Sequence, residues 1–465
     1  MKHKIQIILL ALLLPTLMAV AQTVGHVDGR TGATKTEANA ADKDGNNTAT
    51  PDTVTVSFLT CSPGDQIHRL YGHTALRLQD EKEDWAVNFG WFSFNTPNFV
   101  MKFILGLTDY SMAYQTMPIF LMDLMRDDMG VTEQVLNLTP EEAAYVKKAM
   151  RKTLEVEGFD TKNYTFQNPT TGEPKEETIL GAHWTYRYNF LYDNCTTRAV
   201  DAIKEAVKAC GEEIVFPSLV DHGKTTTQRT MIHEFTTKSP WFEFGQDLLL
   251  GPEVDETHTI KALADSVNFL PTYAENFFEN AKIKGKDGSV RPLVSKTQSL
   301  TPFLVGQEHH PAVPFTPLAV AGSLLSVAII ITMSERKANL AAQRIGSPTA
   351  SQRAWRIWGN AFDFTCWTAQ GIVGILLVIM VGWSEHPAVG TNWLLFIFNP
   401  LFLLGIPVRL WLKKFENIFA WFVCLMAIAI ILVGAFGLQC IPDAIYPFAI
   451  AIALRAKMKG IRQAK

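Results

Sequence analysis

Cysteine is scarce in this chain, six among 465 residues, which excludes a small scaffold held together by disulfides. Neither sign of charge dominates. The net charge is −3, and no basic excess points to nucleic acid as a partner. Charged residues are few, 19 % of the chain against roughly 25 % in ordinary soluble domains. No glycine-rich phosphate loop and no G-x-S-x-G turn occurs, so neither phosphate-cradle nor serine-hydrolase chemistry has its signature here. His183, His222, His233, His258, His309 and His310 lack paired ligand spacing, apart from the adjacent His309-His310. Adjacent histidines point to different sides, so no metal or other cofactor is expected.

The low charged fraction hides a split. Residues 22–310 are polar, whereas residues 317–454 are apolar with charge in short islands. Met1-Lys2-His3-Lys4, an apolar run from Ile5 to Met18, and Ala19-Val20-Ala21 describe a secretory signal peptide over 1–21, with an uncleaved anchor as the alternative. No Cys follows Ala21, so the chain is not itself a lipoprotein precursor. Residues 22–52 read as a disordered spacer. The apolar half offers spans at 317–333, 364–383, 393–412, 418–437 and 441–454, where crossing takes about 20 residues. The last is short, holds Pro442 and Pro447, and could instead be re-entrant. Basic residues fall after the first span (Arg336, Lys337, Arg344, Arg353, Arg356), between the third and fourth (Arg409, Lys413, Lys414) and in the tail 455–465. Basic loops stay in the cytoplasm. Five crossings then leave the tail inside and the polar domain outside, which the signal peptide requires independently. Trp383 and Trp393 flank an outer loop as interfacial aromatics.

The outer domain is expected over 53–300. Val54, Val56 and Phe58 alternate in a strand over 53–61, and His73–Leu78 and Trp85–Phe89 are two more. Thr139-Pro140-Glu141-Glu142 opens a helix with a capping box, Val146, Met150 and Leu154 give it an apolar face, and Gly158 ends it. Asn163–Gln167 reads as a strand. A helix runs from Cys195 to about Cys210, capped by Asn194 or Asp193 and stopped by Gly211. Residues 225–280 are helical in part. Prolines at 292, 302, 311, 314 and 317 give 285–316 a linker character, with the Pro-rich linker proper at 301–316.

Cys195 stands in the first turn of its helix, where free N–H groups and the positive dipole end favour a thiolate and can bind an oxyanion. A buried thiol, or half of a disulfide with Cys61 or Cys210, is the alternative. His73 begins a strand after Gly72, where a lone histidine is more often a satisfied core residue than a catalytic one. Asn88 lies on the next strand, where it could fix the tautomer of that ring as the third member of a Cys-His-Asn set does, or simply end a strand.

Cys61–Leu78 with Gly72-His73, Asn88-Phe89-Gly90, and Asp193-Asn194-Cys195-Thr196-Thr197-Arg198 resemble the Lnb N-terminal periplasmic domain family, the lipoprotein N-acyltransferases of the Bacteroides type. The likeness runs from about residue 53 to the end. The order His, polar residue, then Cys at a helix start also resembles the circularly permuted papain-like thiol enzymes of the NlpC and LRAT kinds. The resemblance implies an α+β fold: a circularly permuted papain-like periplasmic domain followed by an α-helical membrane domain of about five transmembrane helices. It implies Cys195 as nucleophile, His73 as base and Asn88 as orienter. The implied activity moves a fatty acyl chain from a phospholipid, through a Cys195 thioester, to the N-terminal amine of a diacylated lipoprotein, with no cofactor and no nucleic acid. The implied location is the bacterial inner membrane, with the catalytic domain in the periplasm and the C-terminus in the cytoplasm. Arg77 and Arg198 could meet a lipid phosphate, or form structural ion pairs, and Tyr188 is a further candidate for substrate contact. Trp91, Phe92, Phe94, Phe99 and Phe103 could dip into the membrane interface, or be plain core. The rival readings are a membrane-anchored thiol hydrolase acting on peptidoglycan or lipid amides, and a non-enzymatic envelope binding protein with Cys61 and Cys195 joined.

Overall fold

A computed structural model describes residues 54–66, 69–92, 97–167, 174–216, 225–259, 269–304 and 315–460. The expected signal peptide, the spacer, Phe94, most of the expected linker (305–314) and the last residues of the tail (461–465) lie outside the described residues.

The outer domain is built on one sheet. Its strands in chain order are β1 (Thr55–Cys61), β2 (His73–Gln79), β3 (Asp84–Trp91), β4 (Asp109–Thr116), β5 (Val131–Leu136), β6 (Phe159–Gln167) and β7 (Pro174–Arg187). Short strands β8 (Glu213–Val215), β9 (Thr225–Thr227), β10 (Thr257–Thr259), β11 (Lys282–Lys284) and β12 (Val290–Pro292) lie outside it, and β13 (Val294–Ser299) returns to it. The order is β13-β5-β1-β2-β3-β4-β7-β6, every neighbouring pair antiparallel.

Alternation along the strands sorts side chains onto two faces. Val56, Phe58, Leu76, Leu78, Val87, Phe89, Met112 and Tyr114 face one core. Leu59, Cys61, Ala75 and Ala86 face another. The helices are α1 (Phe99–Ile104), α2 (Met117–Arg126), α3 (Pro140–Glu157), α4 (Cys195–Ala209), α5 (Gln228–Thr236), α6 (Pro240–Leu249) and α7 (Pro271–Asn280). Helices α3 and α4 cover the first face with Val146, Met150, Leu154, Val200, Ile203 and Val207. Helix α2 covers the second with Met117, Phe120 and Leu124. The capping box of α3 forms as its sequence requires: the Thr139 N–H donates to Glu142 Oε2 at 2.7 Å, and the Glu142 N–H to Thr139 Oγ1 at 3.3 Å. The linker character of 285–316 is corrected for its first half, because β12 and β13 lie there. Strand β13 is an edge strand with mostly exposed side chains, so it is held by its ladder to β5 and not by an apolar face.

The membrane half comprises α8 (Pro317–Ile345), α9 (Ala350–Trp383), a broken segment of 3-10 turns leading into α10 (Gly405–Leu410), α11 (Glu416–Ala435) and α12 (Ile445–Gly460). Among the described residues, four segments are long and apolar enough to cross a membrane: 317–345, 350–383, 393–410 and 413–435. The fifth expected span is a shorter apolar helix, Ile445–Ala456. The expected first loop is nearly absent. Arg336, Lys337, Arg344, Arg353 and Arg356 lie on α8 and α9, which run on beyond their apolar stretches and meet at a short link with Gly346 at φ 74°.

Side chains satisfy some of the irregular backbone in the 393–410 segment. Gln370 Nε2 donates to the Ile397 carbonyl at 2.7 Å, and the Leu401 N–H donates to Asn399 Oδ1 at 3.0 Å. A Cβ on Gly374 would stand 2.7 Å from the Asn399 backbone, so only glycine permits this approach. Arg455 is corrected from the solvated tail to the helix bundle. It is buried, 2.8 Å from Glu335 and 2.8 Å from Asp363. Asp363 also pairs with Arg409 at 3.4 Å, and Arg409 pairs with Glu416. Charges inside a bundle persist only when paired in this way.

Candidate active site

Helix α4 begins at Cys195, and Asn194 makes that start. Asn194 Oδ1 accepts from the Thr196 and Thr197 N–H groups at 2.8 and 3.0 Å. The Thr197 hydroxyl in turn accepts the Asn194 N–H at 2.8 Å. Asn194 Nδ2 donates to the Phe190 and Phe269 carbonyls at 2.7 and 2.8 Å, so the cap is anchored to the surrounding chain. This corrects the expectation that several free N–H groups meet an oxyanion: the cap uses those of Thr196 and Thr197, and leaves the one on Cys195.

Gly72 brings His73 to the same place. At φ +76°, with a Cβ that would stand 2.3 Å from the Cys61 carbonyl, position 72 accepts only glycine. The strand then alternates. Thr74 points to α4, its hydroxyl 2.9 Å from that of Thr196. His73 Nε2 lies 3.0 Å from Asn88 Oδ1 on β3. Cys195 stands close enough to the ring for each to act on the charge of the other, and the Thr74 N–H acts on the sulfur as well.

Burial alone would push the Cys195 thiol up. The charge and hydrogen bond of His73, the Thr74 N–H and the Thr196 hydroxyl outweigh it, and the thiol is held below its usual 9.0. Burial likewise disfavours the charged ring, but the Cys195 charge, its hydrogen bond and Asn88 hold His73 above its usual 6.5. Each partner therefore favours the charged form of the other. The support His73 gives the thiolate is lost as the ring deprotonates with rising pH, and the support Cys195 gives the imidazolium is lost as the thiolate is protonated with falling pH. Cys61, fully buried beside them, shows the opposite behaviour: burial foremost, then the Cys195 charge, raise its thiol far out of reach of ionisation. Cys61, Cys195 and Cys210 are free thiols.

The Asn88 amide beside the ring has partners that sequence reading missed. Asn88 Nδ2 donates to Gln115 Oε1 on β4 at 3.0 Å, and Gln115 Nε2 donates to Asp123 Oδ2 on α2 at 3.2 Å. Gln115 is only 4 % exposed. A glutamine in a strand looks like any solvent-facing polar residue, and only its burial reveals the link.

The domain that carries the site is joined to links between the membrane helices. The Glu385 N–H donates to the Leu105 carbonyl beside α1 at 2.8 Å, and His386 Nε2 to the Phe103 carbonyl at 2.7 Å. The Gly251 N–H donates to the Ala388 carbonyl at 2.6 Å, Asn392 Nδ2 to the Leu248 carbonyl at 2.8 Å and Gln439 Nε2 to the Leu250 carbonyl at 3.1 Å. Phe244, Leu248 and Leu249 of α6 pack on the membrane core. The Tyr71 hydroxyl, two residues before His73, donates to Gln246 of α6 at 2.7 Å.

Two family models match. The Lnb N-terminal periplasmic domain matches residues 41–168, and the Lnb transmembrane domain matches residues 308–465. Together they cover more than half of the chain. The chain belongs to the Lnb family. It is a membrane protein whose N-terminal domain is periplasmic. No curated protein and no solved structure matches it. The periplasmic match holds His73, Asn88, Gln115 and Asp123, and Cys195 lies between the two matched segments.

The remaining candidates in this Lnb chain divide. Tyr188 stacks on Tyr110 at 4.3 Å, close enough to Cys195 to feel its charge. Burial first, then that charge, keep its hydroxyl protonated. Arg77 does not reach the site. Its guanidinium is held bidentately by Asp84 at 2.7 and 2.7 Å, and by Glu133 at 2.9 Å. Arg198 is held by Asp193 at 2.6 and 2.7 Å and lies 3.7 Å from the centre of the Tyr186 ring. Of the two roles open to them, a lipid-phosphate contact or a structural ion pair, the structure shows the ion pair for both. Of the aromatics expected at the interface, Phe92 packs on Tyr110 at 4.9 Å. Phe103 is 50 % exposed on α1, beside Met101 at 56 %.

Proposed function

We propose that this protein is a thiol acyltransferase of the inner membrane, with its C-terminus in the cytoplasm, that moves a fatty acyl chain from a phospholipid to the N-terminal amine of a diacylated lipoprotein. Cys195 is the nucleophile, His73 the acid and base, and Asn88 the orienter, in a domain of permuted papain-like design. The observation that carries this reading is a paired thiol and imidazole in a domain bound to the outer links of a membrane bundle.

The Cys195 thiolate attacks the ester carbonyl carbon of the phospholipid, and the oxyanion meets the Cys195 N–H. The ester C–O bond breaks as His73 gives its Nδ1 proton to the departing lysophospholipid oxygen, leaving a thioester. The lipoprotein amine attacks that thioester, and His73 takes the proton from its nitrogen. The C–S bond breaks, the amide leaves, and the thiolate–imidazolium pair returns. Thioester energy covers amide formation, so no nucleotide is needed.

Both substrates are held in the bilayer by their chains, at about 0.8 kcal/mol for each buried methylene. A site in open solvent would have to lift those chains out. The exposed Met101 and Phe103 beside the outer loop, and the Phe92–Tyr110–Tyr188 rings leading toward the sulfur, suit an acyl chain that stays in apolar surroundings.

In cells whose only copy carries Cys195→Ser or His73→Ala, mass spectrometry of lipoprotein N-terminal peptides is expected to find free α-amines on diacylated cysteine. Full N-acylation in both variants would refute the reading. A hydrolase that uses water as acceptor would likewise leave N-acylation unchanged.

A further inference from the structure

An amide side chain has no preferred direction of its own, because its oxygen and nitrogen are nearly the same size. A carboxylate has one, since it only accepts. The chain of contacts behind His73 ends on such a group. Asp123 Oδ2 accepts from Gln115 Nε2 at 3.2 Å, so Gln115 must turn its oxygen to Asn88. Gln115 Oε1 accepts from Asn88 Nδ2 at 3.0 Å, so Asn88 must turn its oxygen to the ring. Asn88 Oδ1 then lies 3.0 Å from His73 Nε2, which must carry the proton. In the neutral ring Nδ1 is therefore the free base, and Nδ1 is the nitrogen left for Cys195.

Reversing both amides together would preserve the contacts among His73, Asn88 and Gln115. Asn88 would donate to Nε2, the proton would move to Nδ1, and the ring could no longer accept a proton from the thiol. Two features oppose that reversal: the Asp123 carboxylate, and the Ala86 carbonyl, which accepts from Asn88 Nδ2 at 3.3 Å.

We propose that Asp123 and Gln115 are positioning residues of this site, a relay by which a carboxylate on α2 sets the tautomer of His73. Asn88 and Gln115 are each 4 % exposed, so water does not compete for the inner links, whereas the Asp123 side chain is 32 % exposed and also lies 3.7 Å from Arg126. The charged groups that act on the ring are Cys195 and Arg69, and Cys61 is the register partner of His73 on β1; none of them belongs to the relay. The inference rests on the reading that His73 serves Cys195, and deepens it.

The test is the pH dependence of Cys195 alkylation by iodoacetamide in the full-length protein in detergent, read on the Cys195 peptide by mass spectrometry. Neither acyl donor nor acceptor is present, so a failure of the acyltransfer reading would leave this result intact. Asp123→Leu is expected to slow alkylation at neutral pH about tenfold, and to move its acid limb up toward an ordinary thiol. In an Asn88→Ala background the same change is expected to add nothing, because the relay is already cut. The double variant Asp123→Asn with Gln115→Glu moves the accept-only group one step inward, and is expected to stay within about twofold of the wild type. It also keeps the test open should Asp123→Leu fail to fold. Wild-type alkylation in Asp123→Leu, full additivity with Asn88→Ala, or no recovery in the double variant would each overturn the proposal.

Discussion

Alanine in place of Cys195 is expected to lower acyl transfer by about ten-thousand-fold or more, and alanine in place of His73 by a similar factor. The sulfur is the only group in the mechanism that holds the acyl chain between donor and acceptor, so its loss removes both steps at once. The ring acts in both steps too, and it supports the charge of the sulfur beforehand. Residues that act as one unit do not add, so the double variant should be no worse than either single one. Asn88→Ala leaves thiol and ring in place but frees the tautomer, and should cost about ten- to a hundredfold. The assay is N-acylation of a diacylated lipopeptide by the full-length protein in phospholipid vesicles. More than a tenth of wild-type activity in Cys195→Ala would contradict the assignment.

Arg229→Met is expected to destabilise the periplasmic domain by about 3–5 kcal/mol, and to loosen its hold on the membrane helices. Arg229 is 2 % exposed. Its guanidinium reaches Asp255 at 2.6 Å, Asp247 at 2.7 Å and the Gly251 carbonyl at 2.9 Å. Asp247 also meets His233 at 2.9 Å, and Asp255 accepts the Cys440 N–H at 2.9 Å from the link between α11 and α12. Methionine keeps much of the volume and removes the charge, so the carboxylates and carbonyls that faced the guanidinium would lose their shared donor. Lysine keeps the charge but not the planar fork, and should fall between the two. Thermal unfolding in detergent reads the stability loss, and limited proteolysis between 250 and 260 reads the loosened junction. Unchanged melting and cleavage would mean that the junction is held elsewhere.

Legibility in the sequence follows the range of the interaction. Strands β1 to β3 alternate apolar and polar residues, and α3 and α4 carry their caps in adjacent residues, so each reads from a short window. Strand β7 has many exposed or half-buried residues and shows no clean alternation. It is fixed by ladders to β4 and β6, which no local pattern announces. In the membrane half, hydropathy marks the lipid-facing stretch of a helix and not its length, so α8 and α9 swallowed the expected loop. At the site, Cys195, His73 and Asn88 announced themselves by residue type and by their turns. For Arg77 and Arg198 the sequence offered two roles, a phosphate contact or a structural ion pair, and the structure shows the ion pairs. Their carboxylates, Asp84 across a hairpin and Asp193 five residues back, were visible in the sequence and were the better partners. Gln115 and Asp123 gave no local sign at all.

The most direct measurement is of the covalent intermediate. Full-length protein in phospholipid vesicles without a lipoprotein acceptor is digested, and the Cys195 peptide is weighed. One fatty acyl group on Cys195, released by neutral hydroxylamine and discharged when a diacylated lipopeptide is added, is the predicted result. An unmodified Cys195, or an acyl group carried on another residue, would contradict the account.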